Sequence, residues 1–231
     1  MKLKKTQNAV RNIVFGFFFK IVAMLGPFAV RTVMIYVMSN DYVGLNSLFT
    51  SILSFLSLAE LGVGSALVYS MYKPIAEDDN ATICALLNLY RRLYRYIGLV
   101  ILTVGLLLLP FLKYLVKDGV PEDINLYVLY LIYLGNTVIS YFMFAYKQSL
   151  LTAFQRADII SKRSMILQLM MYVIQIVILF VLRNYYMYII WLPIFTVATN
   201  IVNAVIVDKM FPQYKCEGEI SKEQRLSLIH I

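Results

Sequence analysis

Long apolar stretches alternate with short polar segments from one end of the chain to the other. Each stretch approaches or exceeds the ~20 apolar residues that an α-helix needs to cross the hydrocarbon core of a bilayer. Six are found, at about residues 13 to 38, 45 to 72, 96 to 116, 124 to 154, 164 to 182 and 185 to 207. The pattern predicts an all-α integral membrane protein in which residues 1–209 form six transmembrane helices, and residues 210–231 form a cytoplasmic linker without a core of its own.

Composition supports a membrane location for nearly the whole chain. Hydrophobic residues make up 61% of the 231 residues and the mean hydropathy is +0.73, whereas the apolar share of a soluble domain is roughly half. The first stretch is too long for the core of a signal peptide and lacks a small-residue cleavage site. We therefore expect it to be retained as a helix.

Basic residues are distributed by loop. The formal net charge is +8, and the predicted odd-numbered loops are poor in Lys and Arg. The basic residues cluster in the N-terminus, the second and fourth loops and the tail: Lys2, Lys4, Lys5 and Arg11; Lys73, Arg91, Arg92 and Arg95; Arg156, Lys162 and Arg163; Lys209, Lys215, Lys222 and Arg225. This positive-inside pattern predicts a multi-pass plasma-membrane protein with both termini in the cytoplasm, and the positive charge then needs no nucleic acid as a partner.

Two cations, Lys20 and Arg31, interrupt the first apolar stretch. A helix would point both side chains in nearly the same direction, about 16 Å apart along its axis. A charge at the centre of a bilayer costs at least ~2.5 kcal/mol, which favours a polar cavity over contact with lipid. Snorkelling of each side chain toward its nearer membrane surface is the alternative.

Polar side chains form stripes on other predicted helices. Segment two carries a face of small and hydroxyl-bearing residues, which close helix packing alone would explain. Stripes on further segments together predict the wall of a hydrated chamber, with interhelical hydrogen bonds as the alternative for each amide. The candidate substrate-binding residues among them are Asn136, Ser140, Lys147, Asn200 and Asn203.

An acidic residue, Glu60, lies within segment two in the run LAELGVGSA. An acid inside a membrane span needs a partner or a cavity. We expect a basic residue on a neighbouring helix to be its counter-ion. Glu60 joins the candidate substrate-binding residues for this reason.

The sequence contains no recognisable catalytic or cofactor motif. It has no Walker lysine in a glycine-rich loop, no HExxH and no CxxC, and its single histidine is His230 near the end of the chain. Cys84 and Cys216 are not spaced as metal ligands. We therefore predict a protein that is not an enzyme and that uses no cofactor and no metal.

Several runs of residues resemble bacterial polysaccharide-biosynthesis membrane proteins of the O-antigen flippase type. These proteins belong to the multidrug/oligosaccharidyl-lipid/polysaccharide exporter superfamily. The runs are YVGLNSLFTSILSFLSLAELGVGSALVYSMYKPIAEDD, LLNLYRRLYRYIG, LGNTVISYFMFAYKQSLLTAFQRADII and MFPQY. The resemblance implies one six-helix lobe of a two-lobe fold with a central cleft, the C-terminal lobe being absent from this chain.

The resemblance also implies a cargo and a location. The cargo would be an undecaprenyl-pyrophosphate-linked sugar repeat, moved from the inner to the outer leaflet of the bacterial inner membrane for polysaccharide, O-antigen or capsule synthesis. Lys20, Arg31 and Lys147 would bind its pyrophosphate, and hydroxyls and amides on other helices would bind its sugars. Membrane lipids, a glycan polymerase and glycosyltransferases are the partners to expect.

Two other functions stay open at this stage. A small-molecule or drug exporter of the same superfamily would keep the fold but use acids for cation coupling, and a six-helix scaffold subunit would not transport at all. The terminal LSLIHI resembles a translated sequencing adaptor, so we expect a truncated gene. A genuine short C-terminus is the alternative.

Overall fold

The computed structural model describes residues 5–60, 62–116 and 120–220, and the regular structure in these ranges is helical. Short 3₁₀ turns connect some of the helices, at Ser57–Glu60, Leu109–Phe111 and Ala145–Lys147. The α-helices are α1 (Lys5–Val37), α2 (Asn40–Leu56), α3 (Val63–Ala76), α4 (Asn80–Leu107), α5 (Leu112–Leu115), α6 (Leu126–Phe142), α7 (Gln148–Ala153), α8 (Ala157–Val181), α9 (Tyr185–Ile189) and α10 (Trp191–Met210).

Among the described residues, four helical segments are long and apolar enough to cross a membrane, which fits a multi-pass membrane protein. They are Thr6–Val37, Asn80–Leu115, Ala157–Val181 and Tyr185–Met210. A fifth span results if Leu126–Phe142 and Ala145–Ala153, bent by 46° relative to each other, cross together. The all-helical membrane class is confirmed, and the number of spans found is four to five where the sequence predicts six.

The predicted second span differs most from a simple helix, because it is broken near its middle. α2 has 17 residues and α3 has 14, so each is shorter than the ~20 residues that cross a bilayer core. Gly62, just before α3, has a φ of 89°, a left-handed conformation that costs glycine little and other residues more. The first apolar stretch, in contrast, is one helix that continues through Pro27.

The centre of the bundle is built around α4 and α6. Gly105 of α4 permits their close approach, because a Cβ there would lie 2.4 Å from Leu134 Cδ1. The Tyr130 hydroxyl of α6 donates to the Gly105 carbonyl at 3.0 Å. Phe49 of α2 packs against the same tyrosine with ring centroids 5.5 Å apart. The aromatic side chains of Tyr130 and Phe49 therefore pack in this core, next to the close approach that Gly105 permits.

α1 lies at one side of the bundle and packs mainly on α8. Asn12 connects them: its side-chain oxygen accepts from the Asp158 backbone N–H at 2.7 Å, and its amide donates to the Gln155 carbonyl at 3.2 Å. Many large apolar side chains of α1, including Phe17 and Phe28, are exposed. This outer face suits contact with lipid tails.

The start of the predicted linker packs against the helices. Phe211 is 2% exposed and stacks on Phe154 of the α7 end at 4.5 Å between ring centroids. The Asn88 amide of α4 donates to the Gly218 carbonyl at 2.9 Å. Residues 211–220, called the C-terminal strap below, thus lie across α4 and α7 and do not form a free linker.

Candidate functional site

A cavity of about 920 Å³ opens between α1, α2, α6, α8 and the α9–α10 segment. Arg31 of α1 lines it and, among the described residues, is the single Asp, Glu, Lys, Arg or His in its wall. We call it the Arg31 cavity. The sequence predicted a polar cavity next to this cation, and the guanidinium has one.

One wall of the Arg31 cavity carries hydroxyl groups. They come from one face of α2 and the turn that follows it, at Ser47, Thr50, Ser51, Ser54 and Ser57. Ser47 is three residues before Thr50 and four before Ser51, and Ser54 and Ser57 follow at further separations of three, so these side chains lie on the same side of the helix. The polar face of segment two therefore lines the cavity. From the sequence of that segment alone, close packing against another helix was the simpler interpretation.

A network of amides and phenols forms the rest of the polar wall. The Tyr133 hydroxyl donates to Asn46 Oδ1 at 2.6 Å and lies 3.0 Å from the Tyr185 hydroxyl. Asn136 also lines the cavity, and its Oδ1 accepts from the Thr196 hydroxyl at 2.7 Å. Tyr185 is fully buried and does not itself line the cavity.

Lys20 lies apart from this cavity. Its side chain is exposed, and the residues of α1 that reach the cavity wall are Pro27, Val30 and Arg31. The side chains of Lys20 and Arg31 point in similar directions around the axis of α1. The cavity, however, contacts only about one turn of α1, and that turn contains Arg31 and not Lys20. The structure thus places Arg31 and Asn136 together and does not bring Lys20 to them.

Lys147 is engaged by an acid that sequence reasoning did not pair with it. Its ammonium donates to both carboxylate oxygens of Asp208 in α10, at 2.6 Å each, and lies 5.3 Å from the Phe144 ring centroid. It does not line the Arg31 cavity. Lys147 is therefore outside the proposed cavity, and its predicted role as a pyrophosphate-binding cation stays a prediction.

The remaining polar candidates lie outside the Arg31 cavity. Ser140 donates to the Thr137 carbonyl at 2.6 Å within α6. Asn200 accepts from the Gln148 amide at 3.3 Å. Asn203 is 1% exposed, and neither its amide nor its carbonyl has a hydrogen-bond partner among the described residues. These three residues do not line the Arg31 cavity.

Glu60 lies in the broken region between α2 and α3 and is bound by phenols. The Tyr94 hydroxyl of α4 donates to one carboxylate oxygen, and the Tyr141 hydroxyl of α6 donates to the other at 2.8 Å. Tyr90 extends the cluster, with its hydroxyl 3.2 Å from that of Tyr94. The predicted basic counter-ion is thus replaced by two neutral donors, and a half-buried acid lies where the helical hydrogen bonding is interrupted.

Comparison of the chain with protein-family models, with curated proteins and with solved structures finds no match. The described residues also contain no group of three His, Cys, Asp or Glu side chains that could hold a metal ion.

Proposed function

We propose that this chain is one lobe of a membrane exporter that moves undecaprenyl-pyrophosphate-linked oligosaccharides across the bacterial inner membrane by alternating access. The Arg31 cavity is the observation that carries the proposal. It combines a cation with a row of hydroxyls and amides on helices whose outer faces are apolar. An anionic head group with attached sugars needs both kinds of contact, and its lipid tail needs neither.

The chemistry of the wall fits the two parts of such a head group. A guanidinium makes two parallel hydrogen bonds to a phosphate, so Arg31 is suited to the pyrophosphate. Ser51 and Ser54 of α2 and Asn136 of α6 offer donors and acceptors to sugar hydroxyls. The proposal assigns cargo binding to these residues and assigns Lys147 a structural role.

Six spans belong to the proposal. The broken pair α2 and α3 would make one crossing and the bent pair α6 and α7 another, which completes the lobe with the long spans. A second lobe, encoded beyond Arg225, would close the cavity. Reading the genomic DNA past that codon tests this part, because six or more further apolar spans are expected there.

The cargo role is tested by glycan export from the full-length gene in a strain that lacks its own exporter. Arg31→Ala should reduce export roughly tenfold or more, the effect of one lost charge-assisted contact, without lowering the amount of protein in the membrane. Arg31→Lys should retain part of the activity because the charge remains. Lys20→Ala is the matched control: it removes the same charge from the same helix, outside the cavity. Wild-type export by Arg31→Ala contradicts the proposal.

A small-molecule exporter is the second candidate, and the Glu60 cluster is the observation that favours it. A carboxylate held by neutral phenols keeps its negative charge available to a cation, which a salt bridge would not. In that case Glu60→Gln should abolish efflux of cationic drugs while Arg31→Ala leaves efflux intact. If instead Arg31→Ala reduces glycan export and Glu60→Gln leaves it intact, the first candidate is supported.

A further inference from the structure

A second and larger cleft lies between α3, α4, α7 and α8. Its volume is about 1710 Å³, and it shares no lining residue with the Arg31 cavity. Aliphatic and aromatic side chains make most of its wall, among them Leu67, Tyr72, Leu93 and Ile97. A cleft this apolar, lined in part by α4 and α8, which are long and apolar enough to cross a membrane, suits a hydrocarbon chain.

One cation stands at the edge of this cleft. Arg92 of α4 is the single Asp, Glu, Lys, Arg or His among the described residues that line it. Ser149, Thr152 and Ser161 also line the cleft. The cleft therefore combines a mostly apolar wall with one cation, which is the complement of an anionic lipid.

The C-terminal strap already places an anion on this cation. Glu219 Oε1 lies 3.0 Å from Arg92 Nη1, and the two side chains are 75% and 45% exposed. An ion pair this exposed contributes at most about 1 kcal/mol, so a stronger anion displaces it readily. Asn88 holds the strap next to the pair through its bond to the Gly218 carbonyl, so the carboxylate stays close by when it is displaced.

We propose that this cleft binds an anionic phospholipid, with the phosphate on Arg92 in place of Glu219 and one acyl chain along the wall of α3 and α4. A guanidinium suits a phosphate through paired hydrogen bonds. A membrane lipid is the occupant because it supplies the anion and the hydrocarbon chain together, and because α4 and α8, which line part of the cleft, are long and apolar enough to cross a membrane. The inference does not rest on the proposed export function.

Lipid binding to the purified chain in a neutral detergent tests the proposal. Native mass spectrometry with added phosphatidylglycerol measures binding, and phosphatidylcholine gives the reference for a lipid without net charge. Arg92→Ala should weaken phosphatidylglycerol binding at least about fivefold, the effect of one cation at a membrane surface. Glu219→Gln should strengthen it, because the competing carboxylate is gone. Arg95→Ala is the matched control: this exposed residue of the same helix does not line the cleft.

The acyl chain is tested separately. Ala66 lines the cleft on α3, and Ala66→Trp should block the chain and weaken phosphatidylglycerol binding while Arg92 remains. Glycerol 1-phosphate should bind far more weakly than the lipid. Equal losses in Arg92→Ala and Arg95→Ala, unchanged binding in Arg92→Ala, or glycerol 1-phosphate binding as tight as the lipid would each overturn the proposal.

Discussion

The side-chain oxygen of Asn12 in α1 accepts a hydrogen bond from the backbone N–H of Asp158 at the beginning of α8, at 2.7 Å. The first N–H groups of a helix have no partner within it, and a local side chain usually accepts from one of them. α8 has no such bond from Arg156, the residue at its own N-cap position. Asn12, which is 146 positions before Asp158 in the chain, caps α8 in its place. One side-chain amide therefore joins α1 to α8.

Replacement of Asn12 should therefore destabilise both helices together. We expect Asn12→Ala to lower the free energy of unfolding by about 1 to 2 kcal/mol, as for other lost caps. Thermal unfolding of the purified chain in detergent measures the effect. Gln7→Ala, which shortens an exposed amide of the same helix, is the control, and equal effects of the two variants would argue against the capping role.

The Tyr94 hydroxyl should contribute to stability through its hydrogen bond to Glu60. Tyr94→Phe keeps the ring but leaves one carboxylate oxygen without its donor, which costs about 1 to 3 kcal/mol when the group is buried. Tyr96→Phe removes a hydroxyl from the same helix at a residue that is 66% exposed, and it should change little. Urea titration of both variants separates the outcomes, and identical midpoints would show that the hydroxyl contact is unimportant.

Lys147 and Asp208 should show energetic coupling. Asp208 is 59% exposed and Lys147 is 17% exposed, so we expect a coupling energy of at most about 1 kcal/mol. A double-mutant cycle with Lys147→Ala, Asp208→Ala and the double variant measures it by unfolding. Strictly additive losses would show that the two charges do not interact.

Gly105 should not tolerate a larger side chain. Its added Cβ would lie 2.4 Å from Leu134 Cδ1, so Gly105→Ala forces α4 and α6 apart or distorts the leucine, at about 1 to 3 kcal/mol. Gly135→Ala in α6 is the matched control, because nothing lies within 4 Å of its added Cβ and alanine favours the helix. A larger loss of thermal stability in the control would contradict the packing argument.

Asp79 should make the beginning of α4 sensitive to acid. The Thr82 hydroxyl and backbone N–H donate to its carboxylate, and these hydrogen bonds lower the pKa of Asp79 below its ordinary value. A lowered folded-state pKa means that the stabilisation is complete above about pH 4, the unfolded value, and disappears as the pH falls through the lower folded value. Asp79→Asn keeps a capping oxygen and should unfold with a weaker dependence on pH below 4. An unchanged acid dependence would contradict this.

Features that depend on one helix could be predicted from the sequence. The cost of a charge in lipid was enough to predict a polar cavity at Arg31, and the spacing of the serines was enough to place them on one face of α2. The same pattern does not separate Lys20 from Arg31, because direction around a helix does not say how far a cavity extends along it. A cavity ends where neighbouring helices end or approach, which depends on the packing of the whole bundle.

Features that depend on two distant helices could not be predicted. Glu60 meets Tyr94 and Tyr141, which lie 34 and 81 residues away and are two of many tyrosines in apolar surroundings. Asp208 follows an apolar stretch and carried no sign that it pairs with Lys147. The energetic cost of an unpaired charge predicts that the charge has a partner. Which residue is the partner depends on how the helices pack in the fold.

The pairing of α1 with α8 has a consequence for the order of events during synthesis. α8 begins at Ala157, 152 residues after the beginning of α1 at Lys5. At a translation rate of about 5–20 residues per second, roughly 8 to 30 s separate the emergence of the two helices from the ribosome. During that interval α1 is without its main neighbour, so the contact between α1 and α8 forms only after the intervening helices α2 to α7 have been made.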